Sequence, residues 1–98
     1  MEKIYVMAEL EVNPEHLSEV EDLLLTVALA SQNEKGCESY RILRSTEKNN
    51  ALSTLEKWSS QEAERLHWET EHVKMTVEKL DPFLLSPPII SKYIEIEL

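Results

Sequence analysis

Three histidines, two tryptophans and one cysteine hold most of the chemistry open to this 98-residue chain, and five of those six fall between Cys37 and His72. Histidine is the side chain whose ordinary titration range lies nearest neutral pH, so His67 can act as general base toward an acidic carbon or hydroxyl. The same ring at a helix boundary can also serve as a hydrogen-bonded brace, and the residues alone leave both roles open. Trp58 and Trp68 can be core or pocket wall, since large aromatics dominate small cores. Tyr40 and Trp58 are the candidate pocket or orienting groups beside His67. Glu56 shares a strand face with Trp58, and a carboxylate turned toward the helices needs a partner, for which Arg41 and Arg44 are candidates. It can be an ion-pair member or part of an acid/base site. Cys37 reads as a small residue packed beside a turn.

Metal chemistry finds little support in the spacing. His67 and His72 are five residues apart, which an unbroken helix turns about 140° away from each other. The i, i+4 spacing of a helical two-histidine metal site is absent. Glu69 and Glu71 complete a nitrogen/oxygen set only if the chain breaks near Thr70, so no metal is expected. The sole glycine, Gly36, excludes the glycine-rich phosphate loops of nucleotide and flavin sites, and no organic cofactor is expected either. His16, in the first turn of a surface helix, reads as solvated, and His72 as structural.

These residues must be positioned by a small set of elements. Ile4, Val6, Ala8, Leu10 and Val12 alternate with Tyr5, Met7, Glu9 and Glu11, the pattern of a half-buried strand. Asn13-Pro14 is a helix start, an N-cap followed by proline at the first helical position. Leu17, Val20, Leu24 and Val27, widened by Leu23 and Ala28, predict a long helix ending near Asn33 to Gly36, where glycine accepts φ > 0. Strands about Glu38 to Ser45 and Ala51 to Trp58 flank the polar turn Thr46–Asn50 and predict a hairpin. Ser59-Ser60-Gln61-Glu62 has the form of a capping box on Ser59 and opens a short helix. Thr70 caps a second helical piece carrying Val73, Met75, Val77, Leu80 and Phe83. Ser86-Pro87-Pro88 must be extended, and Ile89 to Leu98 alternates as a last strand. The order βαββαβ predicts an α+β, ferredoxin-like fold: a four-stranded antiparallel sheet with the helices on one face. Tyr5, Met7, Leu43, Leu55 and Tyr93 fall on the opposite parity, and such an apolar second face predicts a partner.

Residues 1–98 read as a single domain, with no repeat or linker. A net charge of −9, with basic residues scattered singly among nineteen acids, argues against nucleic acid or an anionic membrane as partner. No apolar run approaches the ~18 residues of a membrane span. Met1-Glu2-Lys3-Ile4 lacks the basic-then-apolar form of a signal peptide, and one cysteine suits a reducing compartment. A cytoplasmic protein is expected.

Gly36-Cys37-x-x-Tyr40, then Glu56-x-Trp58, then His67-x-x-x-x-His72 resembles the antibiotic biosynthesis monooxygenase family, over roughly Ile4 to Ile96. The resemblance implies a dimeric α+β barrel formed by pairing open sheet faces, a homodimer, with a histidine at the position of His67 lining the pocket. It implies a cofactor-independent monooxygenase of the quinol monooxygenase type, acting on a small electron-rich aromatic. A related branch degrades heme with a strand-one asparagine and a later histidine ligand. Ala8 and Val77 stand at those positions, which argues against heme. Leu66–His72 and Met75–Leu80 are also similar to an enzyme processing the phosphorylated autoinducer-2 signal. The alternative is therefore an isomerase of a keto sugar phosphate, with Lys57, Arg41 and Arg44 facing the pocket. A dimer that binds a small ligand without catalysis is the third reading.

Overall fold

The computed structural model describes residues 2–98, and the alternating apolar residues at its start form β1 (Ile4–Glu11), which buries Val6 and Leu10. The Asn13 side chain accepts the Glu15 N–H at 3.0 Å, and Pro14 opens a 3₁₀ turn leading into α1 (Leu17–Ser31). Val20, Leu24, Val27 and Ala28 are the buried stripe of α1, as their spacing predicts. The helix stops at Ser31, ahead of the expected Asn33 to Gly36, because the next residues form a turn in which the Glu34 N–H bonds the Ser31 carbonyl at 3.0 Å. Gly36 closes that turn at φ +93°, the only positive φ among the described residues. A Cβ at Gly36 would lie 2.6 Å from the Ala63 Cβ.

β2 (Cys37–Arg44) and β3 (Ala51–Trp58) form the predicted hairpin, with Tyr40 opposite Glu56 and Ile42 opposite Thr54. A bulge between Cys37 and Ser39 reverses the parity of Cys37, turning it inward beside Trp58. The sheet order is β2-β3-β1-β4, all antiparallel, where β4 is Ile89–Tyr93. Leu52, Thr54, Glu56 and Trp58 are all buried under the helices, whereas the alternate β3 residues are only half-buried. On that second face Met7 lies between Leu55 and Ser91, and Tyr5 between Lys57 and Tyr93, matching the expected parity. This is the ferredoxin-like arrangement. No helix among the described residues is long and apolar enough to cross a membrane.

Three local expectations are corrected. The N-cap of α2 (Gln61–His67) is Ser60, accepting the Ala63 N–H at 3.1 Å, and not Ser59. The Ser59 N–H is already taken by the Gly36 carbonyl at 2.7 Å, and Glu62 pairs with Arg65 instead of reaching back. Thr70 caps α3 (Glu71–Leu80) as expected, but within it only Val73 and Leu80 are buried. Met75 falls two residues past Val73, on the far side of the helix, and Val77 is exposed as well. The last strand ends at Tyr93 and not at Leu98. Tyr93 pairs with Tyr5, one residue from the start of β1, so Ile94 to Leu98 run past the sheet end.

Candidate functional site

Thr54, Glu56 and Trp58 alternate along β3, so all three side chains enter the layer between sheet and helices. The Glu56 carboxyl accepts the Thr54 hydroxyl at 2.7 Å and the Trp58 indole N–H at 3.0 Å. Burial pushes Glu56 above the usual carboxylate range; the Thr54 and Trp58 hydrogen bonds and His67 oppose the shift, and nearby Glu64 adds to it. Neither expected arginine reaches it. Arg41 sits opposite Leu55 on the open face, and Arg44, opposite Leu52, makes a two-pronged bond to Glu21 at 2.9 Å.

His67 ends α2 and is 2% exposed. Its ring lies 4.5 Å from the Trp58 ring and 5.6 Å from that of Tyr40, centroid to centroid, so the three sequence-predicted site residues do meet. They meet in a closed core and not around an open cavity, since Trp58 and His67 are both sealed from solvent. His67 Nδ1 is 2.7 Å from Glu34 Oε2, and His67 Nε2 is 3.9 Å from Glu56 Oε1. An ionised carboxylate can only accept, so Nδ1 is the donor toward Glu34, and in the neutral ring the lone pair then falls on Nε2. Tyr40 is a stable donor beside this ring, because burial and Glu56 push its phenol far above the ordinary range.

Glu34 escaped the sequence reading. It lies in the turn after α1, 33 residues before His67, and its only signal is a carboxylate two residues ahead of the sole glycine. His72, expected to be structural, places its Nε2 2.6 Å from the same Glu34 oxygen. The two histidines are not turned 140° apart as expected, because the chain turns between α2 and α3: the Thr70 hydroxyl donates to the His67 carbonyl at 2.8 Å and caps the next helix. The two rings therefore converge, 6.2 Å apart, on a carboxylate that is neither Glu69 nor Glu71. Glu69 is bound to Arg65 at 2.6 Å. Glu34, His67 and His72 offer ligand atoms all within 4.8 Å of one another.

A second buried carboxylate completes the layer. Glu64 accepts the Trp68 indole N–H at 2.6 Å and Lys92 at 3.0 Å. Lys92, opposite Val6, shares the inward row of β4 with Ile90, opposite Ala8. Burial and Glu34 push the Cys37 thiol upward, away from a reactive thiolate, in keeping with a packing role. His16 keeps the solvent contact expected of it, its side chain 38% exposed. It is half-buried, stacked on Phe83 at 4.6 Å and paired with Glu19 at 2.8 Å.

The arrangement sets an imidazole between two carboxylates, Glu34 and Glu56, in a buried layer walled by the Trp58 and Tyr40 rings. Residues 3–79 match the sequence model of the family described as antibiotic biosynthesis monooxygenase. Among solved structures, one named a "putative antibiotic biosynthesis monooxygenase" from Caulobacter crescentus is 29% identical, with TM-score 0.92, over 98% of this chain and 92% of that one. A conserved protein from Methanosarcina mazei is 27% identical, with TM-score 0.90, over 95% and 92%. A protein of Nitrosomonas europaea at 15% identity, with TM-score 0.93 over 97% and 91%, shares the fold. Comparison with curated proteins yields no match.

Proposed function

This chain belongs to the antibiotic biosynthesis monooxygenase family, and from that premise we propose that it is a cytosolic, cofactor-independent monooxygenase acting on a quinol-like or other electron-rich aromatic. The observation that carries the reading is the Glu34–His67 pair, 2.7 Å apart, set against Trp58 and Tyr40. Glu34 holds the imidazole in the tautomer whose Nε2 can take a proton, the arrangement a general base requires. The deprotonated substrate then reduces O₂ itself. For an anthrone, CH₂ becomes C=O, one oxygen atom enters the ring carbon and the other leaves in water. The protein supplies the base, a dry layer and a phenol donor, Tyr40, for the developing oxyanion. Because His67 is sealed, substrate entry requires a shift of the elements that cover it. A second copy covering the open face, where Tyr5, Met7 and Leu55 lie, would back the sheet that carries the site.

The isomerase alternative loses its cations. Arg41 and Lys57 lie on the open face and Arg44 is held by Glu21. Oxygen uptake by chelator-treated protein against a panel of hydroquinones and anthrones tests the reading. Substrate-dependent uptake well above autoxidation is expected. No uptake with any member, together with tight binding of a metabolite, would favour the ligand-binding dimer.

A further inference from the structure

We infer that Glu34, His67 and His72 form a binding site for a divalent transition-metal ion such as Zn²⁺, built across the turn after α1, the end of α2 and the start of α3. The donor set is two imidazole nitrogens and one carboxylate, the mixture that suits Zn²⁺ and its neighbours in the first transition row. Both rings already aim a nitrogen at one oxygen, His67 Nδ1 at 2.7 Å and His72 Nε2 at 2.6 Å. Bonds of about 2.0–2.1 Å in a tetrahedron separate ligand atoms by about 3.3 Å. Each nitrogen needs to retreat from the carboxylate by about 0.6–0.7 Å, and the two nitrogens, within 4.8 Å of each other, need to settle at the same spacing to admit the ion.

Two further observations favour an ion over a simple hydrogen-bonded trio. The side chains of His67, Glu34 and His72 are 3%, 13% and 29% exposed, a gradient from a fixed inner ligand to an outer one open to solvent. That opening gives the ion a path and leaves room for water as a fourth ligand. Independently, the remaining nitrogen of His67 faces the buried Glu56 carboxyl at 3.9 Å. A carboxylate hydrogen-bonded to the far nitrogen is the usual orienting partner of a metal-bound histidine, a role Glu56 takes if the ring shift closes this gap by roughly 1 Å. The ion replaces the two ring N–H protons that point at Glu34. Each imidazole remains neutral by carrying its proton on the other nitrogen, which for His67 is Nε2. Occupancy therefore removes the lone pair on which the proposed base depends. That consequence rests on the monooxygenase reading; the site itself does not.

The test uses full-length protein without a histidine tag, treated with chelator and then freed of it. Titration with Zn²⁺ by calorimetry, and with Co²⁺ by visible absorption, should show one ion per chain, and Zn²⁺ should raise the melting temperature. His72→Ala and Glu34→Gln should each weaken binding at least about tenfold, with circular dichroism confirming that both fold. His16→Ala should bind as wild type does. No saturable binding at about 100 µM Zn²⁺, or wild-type affinity in His72→Ala, would overturn the site, as would loss of binding in His16→Ala. Oxygen uptake is a separate arm, in which Zn²⁺ should suppress turnover of any substrate the metal-free protein accepts. Binding without suppression removes only the catalytic consequence.

Discussion

Gly36→Ala perturbs the joint on which the whole site is hung. Gly36 holds φ at +93°, and its missing Cβ leaves room for Ala63 of α2, which would otherwise stand 2.6 Å away, and for the Ser59 hydroxyl at 2.8 Å. A Cβ-bearing residue in left-handed backbone costs roughly 1–2 kcal/mol. Overpacking against a helix adds about 1–3 kcal/mol. The sum is roughly 2–5 kcal/mol, and at about 4–8 °C per kcal/mol for a chain of this size the melting temperature should fall by about 8 °C at the least. The displacement also has a direction. Glu34 lies two residues before Gly36, and His67 one helical turn after Ala63, so pushing the two backbones apart stretches the Glu34–His67 bond. Thermal melting by circular dichroism reads the stability, and the His67 Nδ1–H resonance reads the bond. Adding Ala63→Gly should recover the Ala63 share of the contact loss but neither the Ser59 share nor the backbone part, less about 1 kcal/mol for glycine inside a helix. The double variant should therefore be more stable than the sum of the single changes. A melting temperature within about 2 °C of wild type for Gly36→Ala, or strict additivity in the double variant, would mean that neither the left-handed backbone nor the Ala63 contact constrains this joint.

Burial raises the Glu56 pKa in the folded state. From about 4.5 upward the folded chain thus binds more protons at this group than the unfolded chain, and its contribution to stability falls as pH rises through that window. In chelator-treated protein, Glu56→Gln should gain melting temperature relative to wild type as pH goes from 4 toward neutrality; a difference independent of pH would contradict this. The open sheet face predicts a homodimer at micromolar concentration by light scattering, weakened by Met7→Asp or Leu55→Asp. A mass of 11.4 kDa across that range for the unaltered chain would rule it out.

The fold was legible because its signals are local. Period-2 runs in β1 and β3, the Asn13-Pro14 start and the Thr70 cap each depend on neighbours within a few residues. Errors arose where a distant partner decided the outcome. Ser59 lost its cap role to the Gly36 carbonyl, and residues after Tyr93 ran out of β1 to pair with. Of the site, Tyr40, Trp58 and His67 were legible because aromatic residues and histidine stand out by type. Glu34 and Glu64 were not, because nothing in a chain of nineteen acids marks the ones that tertiary packing will bury. The convergence of His67 and His72 needed both the break at Thr70 and a carboxylate from another element, and spacing alone speaks to only the first.

The most direct test of the catalytic claim is the oxygen-uptake rate of His67→Ala on the best substrate of the wild type, in chelator-treated protein shown by circular dichroism to be folded. Turnover should fall by roughly 10²–10⁴ with the dimer intact. Wild-type turnover in His67→Ala would contradict the claim and leave the ring as a brace at the end of α2.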